Sequence, residues 1–396
     1  MSYFDFPPIL ERMLAVSKQI SDLNFSVGQP PQVEINGHLT PVEPMGVGQL
    51  TPYQTEIIAM TLLRDNPEAA ARLAHTGTAD LSYSLASRVR FRVNVFQQRG
   101  SYSIVMRVIP TQMPTIESLS LPPQLADVGD LRNGIVLLTG PTGSGKSSTL
   151  AAIINLINET KHYHIVTIED PIEFLHRHKK STINQREIGS DTKDFPSALR
   201  AALRQAPKVI LIGEMRDLET TEIALEAAET GHLVLSTLHT IDATKTIDRI
   251  IGMYPKNEER AIRTRLAQTF RYIVSQRLIP RANNNEGRIA AVEILRTNPR
   301  TREYIEEGES EGKSLLDAIR DGQLDGMQDF DSVIRRFIEQ GLVSLENGLS
   351  FATNRNNLLL TLRGLSSSDD YQAHAAQSQP EVMAHAEFGS MLSMIE

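Results

Sequence analysis

Residues Gly140 to Ser147 read G-P-T-G-S-G-K-S, the complete pattern of a phosphate-binding P-loop. An apolar strand pattern, Ile135 to Thr139, comes before this loop, and a helix-like run, Ser148 to Thr160, follows it. A glycine-rich loop in this setting turns its backbone N–H groups toward a phosphate, and the helix adds the positive end of its dipole. We therefore predict a nucleoside triphosphate site at this loop.

The side chains of the loop predict ATP and Mg²⁺ as cofactors. Lys146 reaches toward the outer phosphates, and the Ser147 hydroxyl is placed to bind a magnesium ion. The predicted nucleotide-binding residues are Gly140, Pro141, Thr142, Gly143, Ser144, Gly145, Lys146, Ser147 and Ser148.

The composition indicates a globular protein of more than one domain. At 396 residues the chain exceeds one ordinary core, and it has 40% hydrophobic residues without an apolar run of bilayer length. The N-terminus lacks the pattern of a secretory signal, and zero cysteines exclude disulfides and thiolate zinc sites, so we expect a cytoplasmic protein. A net charge of −8 argues against nucleic acid as a partner.

The first part of the chain has an α+β pattern. We predict a helix at Pro8 to Gln19, a small hairpin arrangement that includes the turn pair Asn36-Gly37, and a helix at Pro52 to Leu63. Three strands should follow, at Asp80 to Leu85, Arg90 to Gln97 and Tyr102 to Val108. Prolines then indicate a linker. The predicted division is a first domain at 1–110, a linker at 111–127 and a second domain at 128–364.

The second part alternates apolar strands with helices, which predicts an α/β domain with a parallel sheet. The strand candidates are Ile135 to Thr139, Ile165 to Ile168, Val209 to Ile212 and Leu233 to Ser236. Further on we predict a helix at Asn257 to Gln276, a hairpin across Asn283 to Gly287, and helices from Arg302 to about Arg363. The stretch 365–396 is rich in Ser, Ala and Gln, and we expect it to be disordered.

Carboxylates follow two of these strands. Val209 to Glu214 reads V-I-L-I-G-E, a Walker B pattern in which Glu214 would hold the magnesium ion through water. Glu169, Asp170 and Glu173 follow another strand, at the edge where α/β sheets bind ligands. One of these three would polarise the attacking water, and the residues alone do not choose between Glu169 and Glu173.

Histidines and arginines supply the remaining candidates. His232 and His239 flank one strand, and His239 at its far end is placed to contact a γ-phosphate. A metal site made by both histidines is disfavoured, because the strand separates them by roughly 20 Å. The first part of the chain carries Arg90, Arg92, Arg99 and Arg107, and P-loop motors use arginines supplied across an interface.

Three stretches resemble the Asp box, Walker B motif and His box of secretion ATPases, in that order. They are T-I-E-D-P-I-E-F at Thr167 to Phe174, I-L-I-G-E-M-R-D at Ile210 to Asp217, and E-T-G-H-L-V-L-S-T-L-H-T at Glu229 to Thr240. Within that superfamily the chain to about Arg363 resembles the PilT/PilU family of type IV pilus retraction ATPases. Further matches are S-D-L-N-F-S-V-G-Q-P-P at Ser21 to Pro31, R-F-R-V-N at Arg90 to Asn94, and N-Q-R-E-I-G at Asn184 to Gly189.

The resemblance implies a PAS-like N-terminal domain joined to a RecA-like ATPase domain with a helical C-terminal part, assembled as a homo-hexamer. It implies that Glu173 is the general base, that Glu214 is the Walker B acid and that His239 contacts the γ-phosphate. It also implies that Arg92 and Arg107 reach the nucleotide. The expected partners are a pilus platform protein of the inner membrane, at whose cytoplasmic side the ring would act, and a paralogous ATPase.

Two stretches depart from the family pattern. Pro299 to Gly308 reads P-R-T-R-E-Y-I-E-E-G where the family has a sequence close to A-I-R-N-L-I-R-E-G, and Arg204 to Lys208 lacks the usual acidic residues. The leading hypothesis is an ATPase that drives pilus retraction and twitching motility. The alternatives are a pilus-assembly or type II secretion ATPase, an accessory paralogue of the PilU type, a nucleic-acid translocase, and a non-motor scaffold that joins the ring but hydrolyses ATP poorly.

Overall fold

The computed structural model describes residues 5–17, 20–35, 37–42, 48–85, 89–110, 112–282, 287–310 and 313–364. These residues divide into two compact units. The first unit comprises those within Met1–Leu278 and Arg288–Asp329, and the second comprises those within Ile279–Gly287 and Phe330–Glu396.

The N-terminal part of the first unit contains a six-stranded antiparallel sheet with the strand order β3-β2-β1-β6-β5-β4. Its strands are β1 (Ile20–Phe25), β2 (Gln32–Ile35), β3 (His38–Pro41), β4 (Thr78–Leu85), β5 (Val89–Gln98) and β6 (Ser101–Val108). Side chains alternate between faces along a strand, so β5 buries Phe91 and Val93 and exposes Arg92 between them.

Three helices accompany this sheet: α1 (Phe6–Leu14), α2 (Pro52–Leu63) and α3 (Pro67–Thr76). Local sequence fixes the start of α2, because Thr51 Oγ1 accepts from the Gln54 backbone N–H and Gln54 Oε1 accepts from the Thr51 backbone N–H. The apolar sides of α1, α2 and α3 form one hydrophobic core with the sheet.

The second sheet of the first unit has seven strands in the order β13-β12-β7-β11-β10-β8-β9. The strands are β7 (Gly134–Thr139), β8 (His164–Glu169), β9 (Thr182–Glu187), β10 (Val209–Ile212), β11 (Leu233–Leu238), β12 (Phe270–Pro280) and β13 (Arg288–Arg296). The pairs from β12 through β7, β11, β10 and β8 to β9 are parallel. Their carboxyl ends therefore lie at one edge of the sheet.

Both faces of the second sheet are buried. Ile135 and Leu137 of β7 belong to one hydrophobic core, and Val136 and Leu138 belong to a core on the other face. This explains the continuous apolar runs of the central strands. The helices around this sheet are α4 (Lys146–Thr160), α5 (Phe195–Ala202), α6 (Leu218–Glu229), α7 (Ala243–Ile251), α8 (Glu259–Thr269), α9 (Pro299–Glu307) and α10 (Leu315–Asp321).

The second unit is mainly helical, with α11 (Phe330–Glu339), α12 (Leu345–Phe351) and α13 (Arg355–Leu362). Gly348 lets α11 and α12 approach closely, since a Cβ atom there would lie 2.5 Å from Ile338 Cδ1. Across the described parts of both units, we find no helix with the length and apolar character needed to cross a bilayer.

The predicted mixed α/β fold is confirmed, with an antiparallel sheet first, a parallel sheet second and helices toward the C-terminus. The helix at Pro52–Leu63 and the strand at Val209–Ile212 have the predicted bounds. The PAS-like character of the first part and the domain boundaries stay predictions. Asn36, most of the predicted turn at Asn283 to Gly287, and the stretch 365–396 lie outside the described residues.

One predicted helix is wrong in its second half. The sequence predicted a helix over Asn257 to Gln276, but α8 ends at Thr269 and β12 begins at Phe270. The burial of β12 is nearly continuous from Tyr272 to Gln276, because the strand is covered on both faces. A short apolar run of this kind has no periodicity that separates a buried strand from a buried helix.

Candidate functional site

The predicted P-loop connects β7 to α4 at the carboxyl edge of the second sheet. Gly140 has φ 142° and Gly145 has φ 91°, values that favour glycine. At Gly140 the space is also closed, because a Cβ atom would lie 2.4 Å from the Gln276 carbonyl oxygen. The loop is thus pressed against β12, and α4 begins directly after it at Lys146.

Lys146 lies over the loop that precedes it. Its Nζ donates to the carbonyl oxygens of Gly140 at 2.8 Å and Pro141 at 3.0 Å, and the residue is buried. Burial lowers the pKa of Lys146, and the negative charges of Glu214 and Glu173 oppose that shift. The ammonium group therefore lies within the electrostatic reach of both carboxylates.

The loop and the first turn of α4 fit the phosphates of a nucleotide. Ser144 is buried, and its Oγ has no hydrogen-bond partner among the described residues. The N-terminal N–H groups of α4 and the Lys146 ammonium supply positive charge beside this hydroxyl. Ser147 and Ser148 are half-buried in the same turn, whereas Pro141, Thr142 and Gly143 are exposed. The nucleotide-binding residues predicted from sequence thus lie together.

Gln276 supports the loop from β12 and was missed by the sequence reasoning. Its Oε1 accepts a hydrogen bond from Thr149 Oγ1 at 3.0 Å, and Thr139 Oγ1 donates to Ser275 Oγ at 3.0 Å. These buried contacts fix the end of β7 and the first turns of α4. Because the sequence predicted a helix over this segment, it gave no reason to place Ser275 and Gln276 beside the loop.

Glu214 and His239 meet beside the loop. The strand order β7-β11-β10-β8 puts the P-loop, His239, Glu214 and Glu169 in this order along the carboxyl edge. Glu214 Oε1 lies 3.2 Å from His239 Nε2, and Glu214 Oε2 lies 2.8 Å from Arg216 Nη2. Burial raises the pKa of Glu214, but hydrogen bonds and charges from Arg216 and His239 outweigh it, so the net pKa lies below its ordinary value.

Arg216 is the second residue that sequence reasoning missed. It stands two positions after Glu214 in the stretch I-L-I-G-E-M-R-D, and it turns back to the carboxylate after β10 ends. The spacing of these two residues could have predicted the contact, because an arginine two residues after a carboxylate at the end of a strand can reach that carboxylate.

The three acidic residues after β8 have different surroundings. Glu169 is half-buried, and its Oε1 accepts from Thr167 Oγ1 at 2.6 Å and Gln185 Nε2 at 3.1 Å. Burial raises the pKa of Glu169. Glu173 and Asp170 are exposed. Since Glu169 is engaged by neighbouring side chains and Glu173 is open to solvent, the geometry favours Glu173 for contact with water.

His232 does not reach the loop. It precedes β11 and therefore lies at the opposite edge of the sheet from His239, and its Nδ1 is 2.9 Å from the Ala227 carbonyl oxygen at the end of α6. The parallel strand carries the two histidines to opposite edges, and the inclusion of His232 as a secondary site candidate stays a prediction.

Arg92 and Arg107 are neighbours on the first sheet. They face each other across β5 and β6, and both are exposed. Arg107 Nε donates to Asp22 Oδ1 at 3.0 Å, whereas the described part of the chain gives Arg92 no hydrogen-bonding partner. Their predicted contact with the nucleotide stays a prediction.

Comparisons with known proteins agree with this arrangement. The family model described as "Type II/IV secretion system protein" matches residues 49–349. The type IV pilus retraction ATPase PilT of Pseudomonas aeruginosa is 41% identical over 340 residues, which cover 86% of this chain and 96% of that protein. The type IV pilus ATPase PilU of the same organism is 37% identical over 356 residues, 90% of this chain and 91% of that protein.

A solved structure is similar over nearly the same range. The crystal structure of the pilus retraction motor PilT with bound ADP superimposes with a TM-score of 0.79 at 39% identity, covering 90% of this chain and 99% of that one. The residues that the family model matches include the P-loop, Glu214 and His239. The chain therefore belongs to the family of type II/IV secretion system proteins, and it is a nucleotide-binding ATPase of that family.

Proposed function

We propose that this chain is the ATP-hydrolysing motor that drives the retraction of a type IV pilus. The observation that carries the proposal is the convergence of Lys146, Glu214 and His239 at one sheet edge, in a chain that is similar to PilT over almost its whole length. Hydrolysis would change the arrangement of the two sheets in each subunit. A ring of six such subunits would transmit that change to a platform protein of the pilus.

The phosphates of ATP would lie on the P-loop, bound by its backbone N–H groups and by Lys146 Nζ. The donor set fits magnesium, because Ser147 supplies a hydroxyl and Glu214 supplies a carboxylate oxygen through water. Bound there, magnesium would neutralise charge that develops on the phosphates. Displacement of Lys146 from the Gly140 and Pro141 carbonyls is the required rearrangement.

Glu173 would act as the general base. Its carboxylate accepts a proton from water as the water oxygen bonds to the γ-phosphorus and the bond to the bridging oxygen breaks, giving ADP and phosphate. His239 would contact the γ-phosphate from the end of β11. It would link that contact to Glu214, which it already touches.

Arg92 and Arg107 would reach the bound nucleotide from the first sheet and add positive charge to the site. Their charges would stabilise the transition state most, when negative charge spreads over the γ-phosphoryl oxygens.

The proposed organisation is a PAS-like domain at 1–110, a linker at 111–127 and an ATPase domain at 128–364, assembled as a homo-hexamer. The partners would be a platform protein at the cytoplasmic face of the inner membrane and a paralogous ATPase.

An accessory role is the second candidate, and α9 is the observation that favours it. The helix keeps its place in the core through Tyr304 and Ile305, and Arg263 Nη1 donates to the Ile305 carbonyl at 3.2 Å. The stretch that contains this helix, Pro299 to Gly308, keeps only part of the sequence pattern that the resemblance to the retraction family implies. Hydrolysis with altered coupling would make this chain a paralogue like PilU, which it also resembles.

Deletion of the gene, followed by imaging of surface pili, tests the function. Abundant pili that do not retract support the retraction motor, and complementation with the wild-type gene but not with Lys146→Ala links retraction to ATP. Absence of pili would instead assign the chain to assembly. Unchanged, dynamic pili would overturn the motor proposal in favour of the accessory role.

A further inference from the structure

Glu187 is a buried carboxylate outside the site described above. It ends β9, in the stretch N-Q-R-E-I-G, and its relative exposure is 3%. Removing a carboxylate from water is costly unless its oxygens receive hydrogen bonds and charge from neighbours. The groups that hydrogen-bond or pair with the Glu187 oxygens therefore identify the parts of the chain that this residue holds together.

The Glu187 oxygens connect the second sheet to the first. Oε1 accepts from Ser82 Oγ of β4, and Oε2 lies 3.2 Å from Arg90 Nη2 of β5. The Arg90 side chain is 19% exposed and that of Glu187 is 4% exposed, so the ion pair is largely removed from solvent. Ser82 and Arg90 also line a cleft of about 1990 Å³, whose lining includes residues 189–193.

The same carboxylate holds the loop that carries Glu173. Oε2 of Glu187 accepts from the Ile172 backbone N–H at 3.0 Å. On the other side of Glu173, Gln185 donates to the Phe174 carbonyl at 2.9 Å and accepts from the His176 N–H at 2.8 Å. Gln185 and Glu187 are two residues apart on β9, so both side chains project from one face. Glu173 is thus supported from both sides by β9.

We propose that Glu187 is a positioning residue: it holds the loop that carries Glu173 in a position that depends on the position of the first sheet. Glu187 Oε2 pairs with Arg90 of the first sheet and also accepts from the Ile172 N–H of the loop. Movement of Arg90 would therefore change how strongly the carboxylate holds the loop. This inference rests on the proposed function, because it takes Glu173 as the group that activates water. Arg90 then has a role distinct from that of Arg92, without contact with nucleotide.

The test compares Arg90→Ala, Arg90→Lys, Glu187→Gln and the Arg90→Ala/Glu187→Gln double variant of the full chain. Arg200→Ala is the matched control, because Arg200 forms an exposed ion pair with Glu219 away from this loop. Four quantities are measured: kcat for ATP, KM for ATP, hydrogen exchange of the amides at 170–176, and the urea midpoint of unfolding.

We expect kcat to fall between about 10- and 100-fold in Arg90→Ala and Glu187→Gln, as for a misplaced catalytic group, with KM within about threefold of wild type. The double variant should lose no more than the worse single variant, because both act through one contact. Arg90→Lys should restore most of kcat. Exchange at the Ile172 amide should be faster in Arg90→Ala, and Arg200→Ala should match wild type throughout.

Unchanged kcat in Arg90→Ala, or a lower urea midpoint with normal kcat, would reduce the pair to a structural contact and overturn the proposal. Unchanged exchange at Ile172 would also overturn it. A wild-type chain without ATP turnover would instead reject the proposed function, and the exchange measurement would still decide whether Arg90 acts on this loop. Turnover retained in Glu173→Gln would leave an ATPase but remove the basis of the positioning role.

Discussion

His239 Nε2 lies 3.2 Å from Glu214 Oε1, so the residues that follow two neighbouring strands share one contact. Parallel pairing of β10 with β11 sets Ile212 opposite Ser236, and each chain then leaves its strand toward the same edge. The contact joins the predicted magnesium-binding carboxylate to the predicted γ-phosphate contact. Under the proposed function, loss of the γ-phosphate would reach Glu214 through the His239 side chain.

Glu214→Gln should lower ATP turnover by about 10²- to 10³-fold, because it removes the carboxylate charge proposed to hold the magnesium ion through water. Nucleotide binding should persist, since the loop, Lys146 and the first turn of α4 stay intact. Phosphate release and the binding of a fluorescent ADP analogue measure the two effects. Glu219→Gln, at an exposed ion pair, is the control. Turnover within threefold of wild type would remove Glu214 from the site.

Arg216→Ala should shift the acidic limb of the kcat–pH profile to higher pH. Arg216 helps to hold the pKa of Glu214 below its ordinary value, against the opposing effect of burial. Without Arg216 that pKa rises, so the carboxylate is protonated at a higher pH as the solution is acidified. We expect turnover at the acidic end of the profile, relative to turnover at pH 8, to be lower in Arg216→Ala than in wild type. Arg200→Ala should leave the profile unchanged, and an unshifted profile in Arg216→Ala would contradict the assignment.

The fold could be predicted where one physical signal dominates. β7, β10 and α2 have apolar runs or capping residues that agree with their environment, as in the box made by Thr51 and Gln54. β9 escaped prediction because its more buried face carries the polar side chains of Gln185 and Glu187, which the fold uses to hold a loop. Such tertiary contacts leave no periodicity in the sequence.

The site was predictable as a set of strand ends, because parallel strands bring their carboxyl ends together. The sequence could therefore place Lys146, Glu214 and His239 near one another. It could not separate Glu169 from Glu173 by residue pattern, since the difference is the contact of Glu169 with Thr167 and Gln185. Gln276 was lost because β12 was taken for a helix.

Gly140→Ala should destabilise the chain by at least about 3 kcal/mol, while Gly143→Ala should cost about 1 kcal/mol. Both glycines have positive φ, but only at Gly140 would a Cβ atom meet nearby atoms, the closest being the Gln276 carbonyl at 2.4 Å. Nothing lies within 4 Å of a Cβ atom at Gly143. Urea unfolding of both variants measures the difference, and equal losses would mean that backbone strain alone explains the requirement for glycine.

Glu293→Gln should remove a pH-dependent loss of stability. Glu293 is buried on β13, and its Oε1 accepts from the Ala243 N–H at the start of α7 at 2.9 Å. Burial raises the pKa of Glu293 to about 7, opposed by the Ala243 hydrogen bond and the Arg277 charge and assisted by Asp242 and Asp329.

The sign of the effect follows from this raised pKa. The folded chain retains the Glu293 proton to a higher pH than the unfolded chain. The contribution of Glu293 to stability is therefore fully present below its ordinary pKa of 4.5 and is lost as the pH rises to about 7. Wild type should therefore lose up to about 3 kcal/mol relative to Glu293→Gln between pH 4 and pH 8. The glutamine keeps an acceptor for the Ala243 N–H, so the variant isolates the charge. Urea unfolding at both pH values, with the exposed Glu56→Gln as control, measures the difference, and parallel pH dependence in wild type and Glu293→Gln would show that Glu293 stays ionised in the fold.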